Sequence, residues 1–220
     1  KLSGMSLVAV LAALLASAAS SIHWLARPHI FTIFFTALWM FGLERLRKGK
    51  IRAWYIFPIM MLLWVNFHGA FLAGLALWFC FISGELLTRH TDWQTIKPLL
   101  LAGMTSVGVT LLNPDGLGIW STGFGFLGNK YLVSHTMEYL PPDFQSSSFW
   151  PFLITIALSI TIFALSKRKI PLPHVFVAVF WTVMGLYSAR NIPLFAVTVG
   201  PILAIAAANI IRDHRYLSTV

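Results

Sequence analysis

The sequence predicts an all-α fold, a polytopic transmembrane helix bundle of about eight membrane segments, some of them short or broken. Three observations predict it. The chain is 58% hydrophobic and only 10% charged, where soluble domains run about 45–50% apolar and about 25% charged. A soluble core cannot hide that excess, so a lipid bilayer is the expected solvent. The apolar residues come in runs approaching the roughly 20 residues that a helix needs to cross a hydrocarbon core about 30 Å thick. Finally, the basic residues cluster between alternate runs, the pattern that keeps positive loops in the cytoplasm.

The apolar segments fall at 5–21, 30–43, 53–65, 70–88, 98–112, 149–165, 172–187 and 192–211. The first could pass for the apolar part of a signal peptide. Another apolar run follows it at once, however, and a single N-terminal Lys is a weak basic flank. Several segments are shorter than a full span and must recruit flanking residues, tilt, or be half-helices. The sequence opens on Lys1 rather than Met and reads as a piece of a longer chain, here a single transmembrane domain over 1–220. Between the segments, Arg45, Arg47, Lys48, Lys50 and Arg52 fill one loop. Arg89 and Lys97 bracket a second, Lys167, Arg168 and Lys169 fill a third, and Arg212 and Arg215 follow the last segment. Alternating segments put all of these and Lys1 on one side, leaving only Arg27, Lys130 and Arg190 for the other. The basic loops and the C-terminus therefore read as cytoplasmic. The net charge of +9 does not point to nucleic acid, because the bases sit in short clusters that serve topology. Cys80 is alone, which excludes an intramolecular disulfide.

The opposite side holds the connections 22–29, 66–69, 113–148 and 188–191. The long one, 113–148, is expected to be an external loop. Its 117–139 part, with five glycines in and just before it among aromatics, is expected to lie along the interface as an irregular amphipathic segment.

Five constellations on this side could carry chemistry. In Ala26-Arg27-Pro28-His29, Pro opens a helix and Arg27 stands at its N-terminus. The helix dipole favours an anion there, and Arg adds a bidentate fork for phosphate. The plainer alternative is an Arg snorkelling to headgroups. Ala189-Arg190-Asn191-Ile192-Pro193 repeats that arrangement, and two such helix starts could grip one phosphate or diphosphate. Trp64-Val65-Asn66-Phe67-His68-Gly69 interrupts an apolar stretch, as a broken helix lining a cavity would; a tight outer turn whose Asn and His meet backbone groups or water is the alternative. Asn113-Pro114-Asp115-Gly116 fits a type I turn, which by itself explains the motif. His135, Glu138, Tyr139 and Asp143 stand in the long loop, where an acid could serve as general base or divalent-cation ligand, or simply be solvated. His23, His29 and His68 have no spacing that specifies a metal site. The motifs of phosphate-binding-loop nucleotide hydrolysis, zincin proteolysis and α/β-hydrolase chemistry are missing from the sequence.

Five strings, in order and spread over nearly the whole chain, resemble a family of large bacterial membrane proteins. They are Ala26-Arg27-Pro28-His29-Ile30-Phe31, Trp64-Val65-Asn66-Phe67-His68-Gly69-Ala70-Phe71-Leu72, Leu111-Leu112-Asn113-Pro114-Asp115-Gly116, Glu138-Tyr139-Leu140-Pro141-Pro142-Asp143-Phe144 and Ala189-Arg190-Asn191-Ile192-Pro193-Leu194-Phe195. That family resembles in layout the GT-C glycosyltransferases, which use polyprenyl-phosphate-linked sugars. The resemblance implies a multi-pass protein of the bacterial plasma membrane acting at the outer leaflet. Arg27, His29, Arg190 and Asn191 would bind phosphate and lipid, and Asn66, His68, Asn113, Asp115 and Glu138 would line the cavity. A divalent cation is the one cofactor such a site could use. The catalytic Asp of GT-C enzymes typically sits in the first outer loop, but 22–29 holds no acid. A catalytic base is therefore expected outside this piece. The rival readings are a transporter or flippase for an anionic lipid or solute, and a membrane scaffold without chemistry.

Overall fold

A computed structural model describes residues 5–24, 27–89, 91–128, 131 and 135–217, and among these the chain is all-helical with no strand. The helices are α1 (Ser6–Ser20), α2 (His29–Arg47), α3 (Ile56–Phe67), α4 (Leu72–Leu86), α5 (Trp93–Val109), α6 (Gly118–Gly128), α7 (Trp150–Leu165), α8 (Leu172–Tyr187) and α9 (Ile192–Leu217). Each of the eight apolar runs became a helix. The difference lies in the 117–139 segment. It is a regular helix over Gly118–Gly128 rather than irregular, because the turn before it presents a helix start and aromatic residues seat it.

Four stretches are long and apolar enough to cross a membrane: Ser6–His23, Gly69–Leu86, Ser147–Leu165 and Ala189–Asp213. Helices α3 and α8 are apolar but shorter. The 12 residues of α3 rise only about 18 Å at 1.5 Å each, well under a bilayer core of about 30 Å. Leu7, Leu14, Ile160 and Leu165 stand more than half exposed on α1 and α7. Such a face is costly in water and costs nothing against hydrocarbon.

The chain forms two compact units. The first comprises Lys1–Trp24 with Pro141–Val220, and the second Leu25–Leu140. In the first, α9 is the central helix, with Ile192, Phe195, Ala196 and Val199 fully buried. Helix α1 approaches it closely: a Cβ added at Gly200 would lie 3.1 Å from the Ala16 Cβ. Such contact through small residues is how helices associate where burial of apolar surface gives no driving force. Phe152 of α7 packs edge-on against Phe195 at 4.9 Å and covers Gly185 of α8. A groove of about 250 Å³ runs between α1, α7 and α9 and is lined by apolar side chains apart from Thr155.

The second unit is built on one buried stripe of α2. Thr32, Phe35, Thr36, Trp39, Met40, Leu43 and Glu44 recur every three or four residues along it. Trp39 meets Phe57 edge-on at 5.3 Å, and Phe35 stacks on Trp64 at 5.4 Å. Gly49 ends the helix with φ +63°, a left-handed conformation that glycine adopts without strain. The Lys50 N–H donates to the Arg45 carbonyl and the Gly49 N–H to the Leu46 carbonyl, which closes a Schellman cap.

Candidate functional site

The chain-order constellations of the second unit collect where α2 begins, α3 ends and α6 begins. Pro28, with φ −55°, is preset for the helix start, and as N-cap it has no side-chain group to bond the first turn of α2. Arg27 precedes it with its side chain 61% exposed. Its Nη1 lies 3.9 Å from Glu138 Oε2, an attraction beyond direct hydrogen-bond reach. The site thus places an accessible guanidinium at a helix N-terminus, with the Glu138 carboxylate nearby. His29, the first residue of α2, is half-buried.

α3 ends at His68, which is extended at φ −158° and ψ 133° and breaks the helix. Its N–H donates to the Trp64 carbonyl, and a 3-10 turn over Gly69–Phe71 leads into α4. The break lets the Trp64 ring lie against Gly74, where an added Cβ would sit 2.6 Å from the ring. Gly69 has open space around it and no left-handed φ, so the break does not depend on its being glycine. Asn66 donates through Nδ2 to the Leu62 carbonyl at 2.8 Å and the Leu112 carbonyl at 3.1 Å, tying the end of α3 to the chain after α5.

The Asn113 motif is a turn whose own side chain holds it closed. Asn113 Nδ2 donates to the carbonyls of Thr110 and Gly116, and Oδ1 accepts the Asp115 N–H at 2.8 Å. Gly116 takes φ +54°. The amide of Asn113 is therefore committed to the backbone, and it shapes the site by aiming α6. The Asp115 carboxylate lies over Gly118, where a negative charge complements the helix N-terminus. Trp120 then anchors α6, donating to Thr110 Oγ1 and packing edge-on to Phe71.

Arg190 and Asn191 belong to the first unit, in a 3-10 turn over Ala189–Asn191 that opens α9. Both are half-buried, and Asn191 Nδ2 donates to the Met184 carbonyl at 3.0 Å. The turn repeats the His68 break. Ser188 is extended at φ −151° and ψ 127°, and its N–H returns to the Met184 carbonyl four residues back. A helix, one extended residue, a 3-10 turn and a second helix thus occur once in each unit. Arg27 lies in one unit and Arg190 in the other, so neither unit alone holds both guanidinium groups.

Comparison of the chain with protein-family models, with curated proteins and with solved structures finds no match in any of the three. The chemistry of the site therefore rests on its own geometry. Among the described residues no three His, Cys, Asp or Glu side chains come together as a metal-ligand set.

One residue of this end, Thr32, lies outside every motif string of the sequence. Thr32, one turn into α2, contacts His68 Nδ1 through Oγ1 at 2.7 Å, and Trp64 Nε1 donates to the same Oγ1 at 3.0 Å. Thr32 falls at a buried position of a regular helical pattern, which is the only trace it leaves in sequence. At the other end of α2, about 28 Å away along 19 residues at 1.5 Å each, lies a buried charge cluster. Arg47 donates to Glu44 at 2.9 and 3.0 Å and to Glu85 at 3.3 Å, and Lys48 Nζ lies 2.6 Å from Glu44. Thr91 Oγ1 donates to the Glu85 carbonyl at 3.0 Å. With both carboxylates closed off by cations, this cluster is a clamp joining α2 to α4.

Proposed function

We propose that the chain is the membrane portion of a GT-C-like glycosyltransferase. It would act on a polyprenyl-phosphate-linked sugar at the outer leaflet of a bacterial plasma membrane. The observation that carries this reading is the accessible Arg27 guanidinium at the start of α2, with Glu138, His68 and Asn66 around the same end. A fork of donors beside a helix N-terminus suits phosphate oxygens, and catalysis would need little from it beyond positioning and charge stabilisation. Arg190, at the matching start of α9, is the second phosphate-binding candidate. The apolar groove of the first unit is compatible with a hydrocarbon tail. The test is sugar release from a labelled polyprenyl-phosphate donor by the full-length protein in membranes. Arg27→Lys keeps the charge but loses the fork. It is expected to weaken binding of the lipid phosphate by about 1–3 kcal/mol, the range for hydrogen bonds to charged groups, with the folded fraction unchanged. Wild-type affinity in the Lys variant would remove Arg27 from the site.

In this reading all eight apolar segments are membrane-embedded, with α3 too short to span alone. The 45–52 and 167–169 loops face the cytoplasm and 113–148 faces outward. In a Cys80→Ala background, an impermeant thiol reagent added to intact cells should label Ser146→Cys and spare Lys50→Cys. The reverse pattern would invert the topology and place Arg27 on the wrong side for an outer-leaflet donor.

A transporter or flippase is the second reading, favoured by one observation. The extended residue and 3-10 turn that break α3 from α4 recur between α8 and α9, and broken helices of this kind line transport pathways. The same assay separates the two, because a transporter moves its labelled substrate across the membrane without releasing sugar.

A further inference from the structure

The groove of the first unit, about 250 Å³ between α1, α7 and α9, has a chemistry that selects its occupant. Small residues make it. Ala12, Ala16, Gly200, Ala204 and Ala207 line the seam where α1 meets α9, and larger side chains there would fill it. Thr155 is the one wall residue with a polar side chain, and its hydroxyl donates to the Pro151 carbonyl at 2.6 Å. The wall therefore offers hydrocarbon alone, and water entering it would find no partner. Leu11 and Leu158 line the groove while 57% and 39% exposed, so it opens sideways toward the surrounding lipid. Its length fits one leaflet. The lining runs along α9 from Gly200 to Ile211, about 16 Å at 1.5 Å per residue. Half of a hydrocarbon core about 30 Å thick is roughly 15 Å.

The charge at the Ile211 end decides which lipid fits. Arg168, in the loop after α7, reaches Asp213 of α9, with Nη2 2.6 Å from Oδ1. Lys167 and Arg212 also act electrostatically on the Asp213 carboxylate. Among the described residues of this end, Lys167, Arg168, Lys169 and Arg212 stand against that single carboxylate, an excess of positive charge. The Gly200 end lies about 12 Å down α9 from Ile192, away from the turn that holds Arg190. A lipid lying in the groove thus has hydrocarbon along its length and cations where its headgroup emerges, the arrangement by which basic pockets between membrane helices hold anionic headgroups. We propose that the groove holds one acyl chain of an anionic phospholipid from the leaflet at this basic end, with its phosphate against Lys167 and Arg212. The site does not depend on the glycosyltransferase reading, which draws its lipid from the opposite leaflet.

The experiment uses full-length protein in phosphatidylcholine nanodiscs that contain a small fraction of phosphatidylglycerol with a photoreactive group at the end of one acyl chain. After illumination, mass spectrometry locates the cross-links. The expected result is labelling concentrated on the inner wall, around Ala12, Thr155 and Gly200, and stronger than that from a phosphatidylcholine probe carrying the same group. Ala207→Leu puts a larger side chain in the groove. It should remove this labelling and leave that of the exposed Leu7 and Leu14 unchanged. Lys167→Gln and Arg212→Gln should each lower the preference for phosphatidylglycerol over phosphatidylcholine by about five-fold, the usual worth of one cation near an anionic surface. Lys167 is exposed, so its variant carries the test if Ala207→Leu does not fold. Equal labelling of the groove by the two probes would reduce it to general lipid contact and overturn the proposal, as would an unchanged preference in both charge variants. Displacement of the probe by polyprenyl phosphate but not by unlabelled phosphatidylglycerol would overturn it in favour of the donor lipid.

Discussion

Replacing Arg47 with Met is expected to destabilise the second unit by about 3–5 kcal/mol, the range for breaking a buried ion pair from one side. Arg47 is only 15% exposed and bridges two carboxylates that are more deeply buried still, Glu44 on α2 and Glu85 on α4. Glu44 would keep Lys48 as a partner at 2.6 Å. Glu85 would keep no cation among the contacts seen here, only the Thr91 hydroxyl near its carboxylate at 3.4 Å. The loss therefore comes chiefly from stranding Glu85. Adding Glu85→Gln to Arg47→Met should recover a good part of the stability, because the stranded charge is gone and the amide can still meet Thr91. Glu85→Gln alone should cost less than Arg47→Met. The measurement is the unfolding midpoint of the purified protein in detergent for the two single variants and the double. A double variant no more stable than Arg47→Met would show that Arg47 acts by packing rather than by charge.

That clamp also shows what the sequence could and could not reveal. The eight apolar segments were legible because hydrophobic run length survives any packing arrangement, and each became a helix. The basic residues at 45–52 were read as one cytoplasmic loop. Nothing in the clustering says which of them turn inward. The signal was present in the phase of α2. Thr32, Phe35, Thr36, Trp39, Met40, Leu43 and Glu44 form one stripe, and extending it by one turn reaches Arg47. Glu85 continues the buried face of α4 in the same way, following Leu77, Phe81 and Ile82. Periodicity therefore predicted the inward charges. Reading the segment only for topology concealed them.

The polar end was legible in part, for a related reason. Motif strings flagged Arg27, Asn66, His68, Asn113 and Glu138, because polar residues at the ends of apolar runs stand out in composition. The structure gives them different tasks. Asn66 and Asn113 spend their amides on backbone carbonyls, whereas Arg27 stays accessible. That division depends on which carbonyls the turns bring close, and no single-residue pattern encodes it. Thr32 was invisible because a Thr within an apolar helix most often bonds the carbonyl one turn back. Thr155, Ser159, Thr161 and Thr198 do so here. Thr32 departs from that habit because the helix break carries the His68 ring within 2.7 Å of its hydroxyl.

Gly103→Ala and Gly108→Ala, on the same helix, are expected to have opposite effects. Gly103 is buried on α5 where Trp78 of α4 crosses it, and a Cβ added there would fall inside the Trp78 ring at Cε2, Cδ2 and Nε1. Those are atoms of the fused ring system, not the end of a flexible chain, so the whole indole must move. Its movement would also break the donation from Trp78 Nε1 to the Leu99 carbonyl, now 2.8 Å. Overpacking of this kind costs about 1–3 kcal/mol, and the lost hydrogen bond adds about 1 kcal/mol. The expected destabilisation is therefore about 2–4 kcal/mol, the sum of those two ranges. Gly108 lies one turn and one residue further along with nothing near the position of an added Cβ. Alanine there removes backbone freedom from the unfolded chain and should be neutral or stabilise by up to about 1 kcal/mol. Unfolding midpoints of the two variants, measured beside wild type, test the pair. Equal effects would mean that glycine in α5 is tuned for flexibility along the whole helix. A large loss at Gly103 alone would place the requirement in the seat of the Trp78 ring, through which α4 and α5 pack closely enough to hold the second unit together.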